Sequence, residues 1–75
     1  MKKEFKPYWV YLVRVESDEE LTIGEYSKLS PALVNAHVAC REAGISQWDW
    51  VVDKRAPDYT VINRRSSIAG FEPLA

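Results

Sequence analysis

The 75-residue sequence holds one cysteine, one histidine and three widely separated glycines, Gly24, Gly44 and Gly70. A lone cysteine, Cys40, excludes an intramolecular disulfide framework and fits a reducing compartment. Cys40 and His37 cannot by themselves fill a four-ligand zinc site, and Asp49, Asp53 or Glu42 add no recognisable spacing. No metal and no cofactor is expected. Glycines so far apart leave no phosphate-cradling loop. No run approaches the roughly twenty apolar residues that span a bilayer. The basic start lacks the apolar segment of a secretory signal, because Arg14 and a group of carboxylates interrupt it. The expectation is a cytoplasmic chain with no membrane partner. A net charge of −1 supplies no global field to draw nucleic acid or an anionic membrane.

Aromatics, by contrast, are abundant: three Trp, four Tyr and two Phe. The apolar fraction of 47% is that of a folded globule rather than a disordered chain. A chain this short has room for one small core. Nine aromatic side chains are more than one helix-covered sheet face hides with ease. Some are therefore expected on a surface.

The order of elements reads β-β-α-β-β. Residues 1–7 read as a mobile arm closed by Pro7. The run 8–15 is dense in β-branched and aromatic residues and reads as a strand. It sets Trp9, Tyr11 and Val13 on one face and Tyr8, Val10 and Leu12 on the other. Both faces are apolar, as in a central strand. A charged turn, with Glu16, Asp18 and Glu19, leads into a second strand over 20–26, where Gly24 suggests a bulge or an edge. Ser30 as N-cap, Pro31 at the first position and Gly44 as the stop predict a helix over 31–43. Its apolar face carries Ala32, Leu33, Ala36, Ala39, Cys40 and Ala43. Such a small-residue face lies close on a sheet but buries little area. A third strand is predicted over 45–53, a turn over 55–58 and a fourth strand over 59–65. The tail 66–75 carries Ile68, Phe71 and Leu74, which could dock on the sheet. The expected fold is thus a single α+β domain, a four-stranded antiparallel sheet with one helix packed on one face.

Catalytic chemistry finds little support. His37 and Cys40 lie three apart on one helix, within reach of each other, and a Cys–His pair is one way to activate a thiol. A reactive thiolate wants an electropositive, partly open site, however, and Cys40 falls on the face predicted to be buried. Asp49 and Asp53 share a strand face but stand about 13 Å apart by strand rise, too far to share a proton. They read as solvated strand positions near Lys54 and Arg55. The chain is expected not to be an enzyme.

Binding is the better-supported class, and three surfaces offer themselves. The first is aromatic, with Tyr8, Leu12, Trp48 and Trp50 as candidate contacts on whichever sheet face stays open. The second is basic: Arg55, Arg64 and Arg65 near the ends of the second hairpin, with Lys54 and Lys2, Lys3 and Lys6. Aromatics flanked by arginines are the layout of single-strand nucleic-acid binders, so nucleic acid is the alternative to a protein partner. The third is the acidic group Glu16, Asp18, Glu19 and Glu20 on a hairpin turn. Open sheet edges also allow a homodimer. In size, near-neutral charge and β-β-α-β-β pattern, the chain is similar to small accessory proteins of phages and mobile elements, among them anti-CRISPR inhibitors. That resemblance is one of format over the whole chain. It implies a protein that acts by binding a host complex, and it assigns no residue a role.

Overall fold

The structure is a computed structural model that describes residues 4–67. Five elements follow one another: β1 (Tyr8–Arg14), β2 (Glu20–Tyr26), α1 (Leu29–Gly44), β3 (Trp48–Arg55) and β4 (Val61–Ser66). The sheet is antiparallel throughout, in the order β2-β1-β3-β4. Each hairpin supplies one inner and one outer strand, and β1 pairs with β3 to join them. The path from β2 through α1 to β3 therefore crosses over β1, leaving β2 and β3 parallel with β1 between them. This is the α+β fold the sequence predicts, with the helix on one face.

The two inner strands carry the apolar residues on both faces. Val10, Leu12, Val51 and Val52 are all 2% exposed or less, and each such side chain contributes about 1.5–3 kcal/mol when fully buried. Cross-strand pairing sorts them. Val10 opposite Val52 and Leu12 opposite Trp50 point to the helix. Tyr11 opposite Val51 points away from it. Val10 and Val52 pack on Ala32 and Ala36, with Tyr8, Ile23, Leu33 and Trp50 around them. The alanine face brings α1 close to the sheet, and the strands supply the bulk.

Element boundaries differ from the predicted ones for local reasons. The helix begins at Leu29 with Lys28 as N-cap, in extended conformation and without a side-chain cap bond. Ser30 and Pro31 thus lie inside the first turn. Pro31 is tolerated there because the first helical N–H groups have no intrahelical acceptor. Ala43, expected on the buried face, is exposed. Residues 45–47 are not strand: Ile45 is helical in φ and ψ, and the Gln47 amide closes a turn on the Gly44 carbonyl at 2.9 Å. At the other hairpin Arg55 belongs to β3 and Tyr59 precedes β4.

Both outer strands carry a register shift. On β2 it falls next to Gly24, between the partners of Val10 and Tyr11. On β4 it lies at Ile62, between the partners of Lys54 and Arg55. Bulges on edge strands twist them away from further pairing. No helix among the described residues is long and apolar enough to cross a membrane.

Candidate partner-binding surface

The sheet face away from α1 has polar and aromatic character. Trp9, Tyr11, Val13, Asp49, Val51, Asp53 and Arg55 point to it from the two inner strands, as their pairing requires. Asp53 is 0% exposed there, which corrects its reading as a solvated position. A buried carboxylate has to be paired. Arg64, directly opposite on β4, donates Nε at 2.5 Å and Nη2 at 3.1 Å to its two oxygens. The Tyr11 hydroxyl lies near enough to Asp53 to feel its charge. Burial and then the Asp53 charge hold the Tyr11 pKa well above its ordinary value. The hydrogen bond from Arg64 to Asp53 raises the guanidinium pKa.

A second cluster lies at the end of this face where β1 begins. The Arg55 guanidinium sits 5.0 Å from the ring centres of both Trp9 and Tyr59 and donates to Glu25 Oε2 at 2.6 Å. Trp9 in turn leans on Tyr11 at 4.3 Å between ring centres, and Phe5 meets Tyr59 edge-on at 5.9 Å. The Arg55 amide donates to the Pro7 carbonyl at 2.8 Å, so part of the segment expected to be a mobile arm is tied to β3. Glu4, Phe5, Lys6, Glu25, Pro57 and Tyr59 line a cleft of about 700 Å³ beside this stack.

Tyr59 is held there by an unusual backbone. Its φ is +67°, a left-handed conformation that glycine and asparagine adopt readily and a bulky residue does not. The turn that imposes it is well bonded. The Tyr59 amide donates to the Ala56 carbonyl and the Ala56 amide to the Thr60 carbonyl, both at 2.8 Å. Asp58 accepts from the Thr60 amide at 3.0 Å, and hydrogen bonding to the Thr60 side chain, then to this amide, lowers its pKa. Tyr59 is nonetheless 61% exposed. The Arg55 Nε is buried and lacks a hydrogen-bond partner. Two local costs, a strained backbone and an unpartnered donor, thus meet within one stack.

The residues singled out from sequence are distributed differently. Leu12 is fully buried, and Tyr8 and Trp50 are half-buried on the helix side, packed against the core. Trp50 also meets the His37 ring at 4.9 Å. Trp48 is half-buried with the Arg14 guanidinium 5.7 Å from its ring centre. Leu12 therefore offers nothing to a partner; on the other face Tyr11 is buried and Trp9 half-buried, and Tyr59 at its end is the exposed ring. Arg55 and Arg64 are engaged with Glu25 and Asp53. Arg65 is exposed, on the helix side, opposite Val52. Glu16, Asp18 and Glu19 on the first hairpin turn and Glu20 at the start of β2 are exposed, with Glu19 4.0 Å from Arg14. Lys2, Lys3, Ile68, Phe71 and Leu74 lie outside the described residues.

Cys40 and His37 engage different groups, His37 the Trp50 ring and Cys40 a backbone carbonyl. Cys40 is buried and its thiol donates to the Trp48 carbonyl at 3.1 Å. Burial, and then the Asp49 charge, pushes its pKa up, away from thiolate. Among the described residues no three His, Cys, Asp or Glu side chains gather in a way that could hold a metal ion. Sequence reasoning missed Trp9, Tyr59, Glu25 and Phe5. The available signal was the turn 56–60, where Pro57 and Asp58 are followed by tyrosine at the position a hairpin of this length usually gives to glycine. No family model, curated protein or solved structure matches the chain.

Proposed function

We propose that this chain is a small non-catalytic module that binds a protein partner through the corner formed by Trp9, Arg55 and Tyr59. The observation that carries the reading is the left-handed Tyr59, whose ring stays exposed at the mouth of the cleft although its backbone is strained to place it. Strain of this kind is retained where a side chain has work to do. Trp, Tyr and Arg are also the residues on which binding energy concentrates at protein interfaces. The stack is preordered, so a partner does not have to meet the entropy of arranging it. An inhibitor or adaptor acting on a host complex in the cytoplasm fits this format.

The alternative, single-stranded nucleic acid, draws on Arg55, Arg64 and Arg65. Two of these three already neutralise carboxylates, which leaves the electrostatic part of that reading to Arg65 and the neighbouring lysines. A second copy pairing edge to edge is opposed by the bulges on β2 and β4.

The informative variant is Tyr59→Gly, which removes the ring at a position whose backbone suits glycine. Affinity capture from host lysate with the wild type should retain a protein that Tyr59→Gly and Trp9→Ala release. Retention of the same protein by both variants, each melting as a folded chain, would sink the assignment of this corner.

A further inference from the structure

On the opposite side of the sheet, a pocket of about 150 Å³ is lined by Tyr8, Leu29, Val52, Lys54, Asn63 and Arg65. The register explains why they meet. Tyr8 stands opposite Lys54, Lys54 opposite Asn63, and Val52 opposite Arg65. Cross-strand partners project to the same face, so a lysine, an arginine and an amide stand side by side.

The charge here is one-sided. The other arginines of the sheet each reach a carboxylate: Arg14 with Glu19, Arg55 with Glu25 and Arg64 with Asp53. Lys54 and Arg65 make no ion pair among the described residues, and no lining residue is acidic. The Lys54 ammonium lies 5.9 Å from the centre of the Tyr8 ring, beside the pocket wall. Two cations at one concavity repel each other unless an anion is shared between them. Leu29 is the first residue of α1, so the positive end of the helix dipole adds to the same field. Asn63 brings an amide donor and Tyr8 a hydroxyl.

We infer that this pocket binds a phosphate group, held between the Lys54 ammonium and the Arg65 guanidinium with the Asn63 amide as a neutral donor. Arginine offers a fork and lysine a point charge, and together they match a doubly charged tetrahedral oxyanion better than a single carboxylate. The site is separate from the Trp9 corner and does not depend on it.

The test is titration of the isotope-labelled protein with inorganic phosphate at low salt, followed by backbone amide chemical shifts. Saturable shifts centred on Lys54, Asn63 and Arg65 are expected. Lys54→Ala and Arg65→Ala should each weaken binding by about tenfold. Arg41→Ala, which removes the same charge from the last turn of α1, should leave it unchanged. A thermal melt coincident with the wild type is the control for each variant. A mononucleotide and a short single-stranded oligonucleotide then identify the source. Tighter binding of the oligonucleotide through the same residues supports a polymer phosphate, and equal affinity supports a small phosphorylated ligand. Absence of saturable shifts at these residues would overturn the inference. So would an equal loss in Arg41→Ala, because binding would then follow net charge alone.

Discussion

Replacing Arg64 with methionine removes the guanidinium beside Asp53 while keeping an unbranched side chain across the sheet. Asp53 is 0% exposed, and Arg64 supplies hydrogen bonds to both of its oxygens. Without them the buried carboxylate loses its paired cation. Breaking a buried pair from one side costs about 3–5 kcal/mol. The Arg64 side chain is 28% exposed, so water reaches the pair and the lower figure, about 3 kcal/mol, applies. A chain of this length has a total stability of about 4–11 kcal/mol, so the loss is a large share of it. Urea unfolding followed by the fluorescence of the three tryptophans is the assay. With a slope of about 1 kcal/mol/M for so small a chain, the midpoint should fall by about 3 M. Arg64→Met combined with Asp53→Leu should recover most of the loss, since an apolar pair replaces the ion pair without leaving a stranded charge. A single variant within about 0.5 kcal/mol of the wild type would refute the reasoning, as would a double variant no more stable than the single.

Three further outcomes follow from the same geometry. Tyr59→Gly should unfold at or near the wild-type midpoint, because relief of the backbone offsets the lost ring contacts, while Tyr59→Ala should be about 1 kcal/mol less stable than Tyr59→Gly; equal stability of the two would mean that the backbone at 59 is not left-handed. The Tyr11 pKa lies above its unfolded value of 10.0 in the folded chain, so the folded state holds that proton longer. Its contribution is full below pH 10 and is lost as pH rises beyond it, a decline that Tyr11→Phe should flatten in urea melts at stepped pH. Cys40 should react with iodoacetamide far more slowly in the native chain than in urea; equal rates would contradict its burial and its bond to the Trp48 carbonyl.

The strands and the helix were legible because their signals are local. The run from Tyr8 to Arg14 shows β-branched and aromatic residues on both faces, and a strand apolar on both faces has to lie inside a sheet. Gly24 marked the bulge and the edge for the same reason. The helix start was misjudged because Ser30 and Pro31 give a strong cap signal, whereas Lys28 caps with its backbone conformation alone. The site was harder to see. Asp53 reads as a solvated position until β4 brings Arg64 opposite it, and that pairing depends on the bulge at Ile62. Tyr59 reads as the first residue of a strand, and its left-handed φ emerges only from the hydrogen bonds that close the turn 56–60. The pattern of the strands also left open which aromatic set turns inward. The alanine face of α1 settled it by packing on Val10 and Val52.

A Trp9–Arg55–Tyr59 corner that binds a partner differs from one that merely packs the end of the sheet. Calorimetric titration of the captured partner into wild-type protein and into Tyr59→Gly distinguishes the two most directly. Loss of a ring at a binding hot spot should weaken the affinity by about thirtyfold or more, with the melting curve of the variant unchanged. An affinity equal to that of the wild type would mean that the corner packs the sheet end and binds nothing.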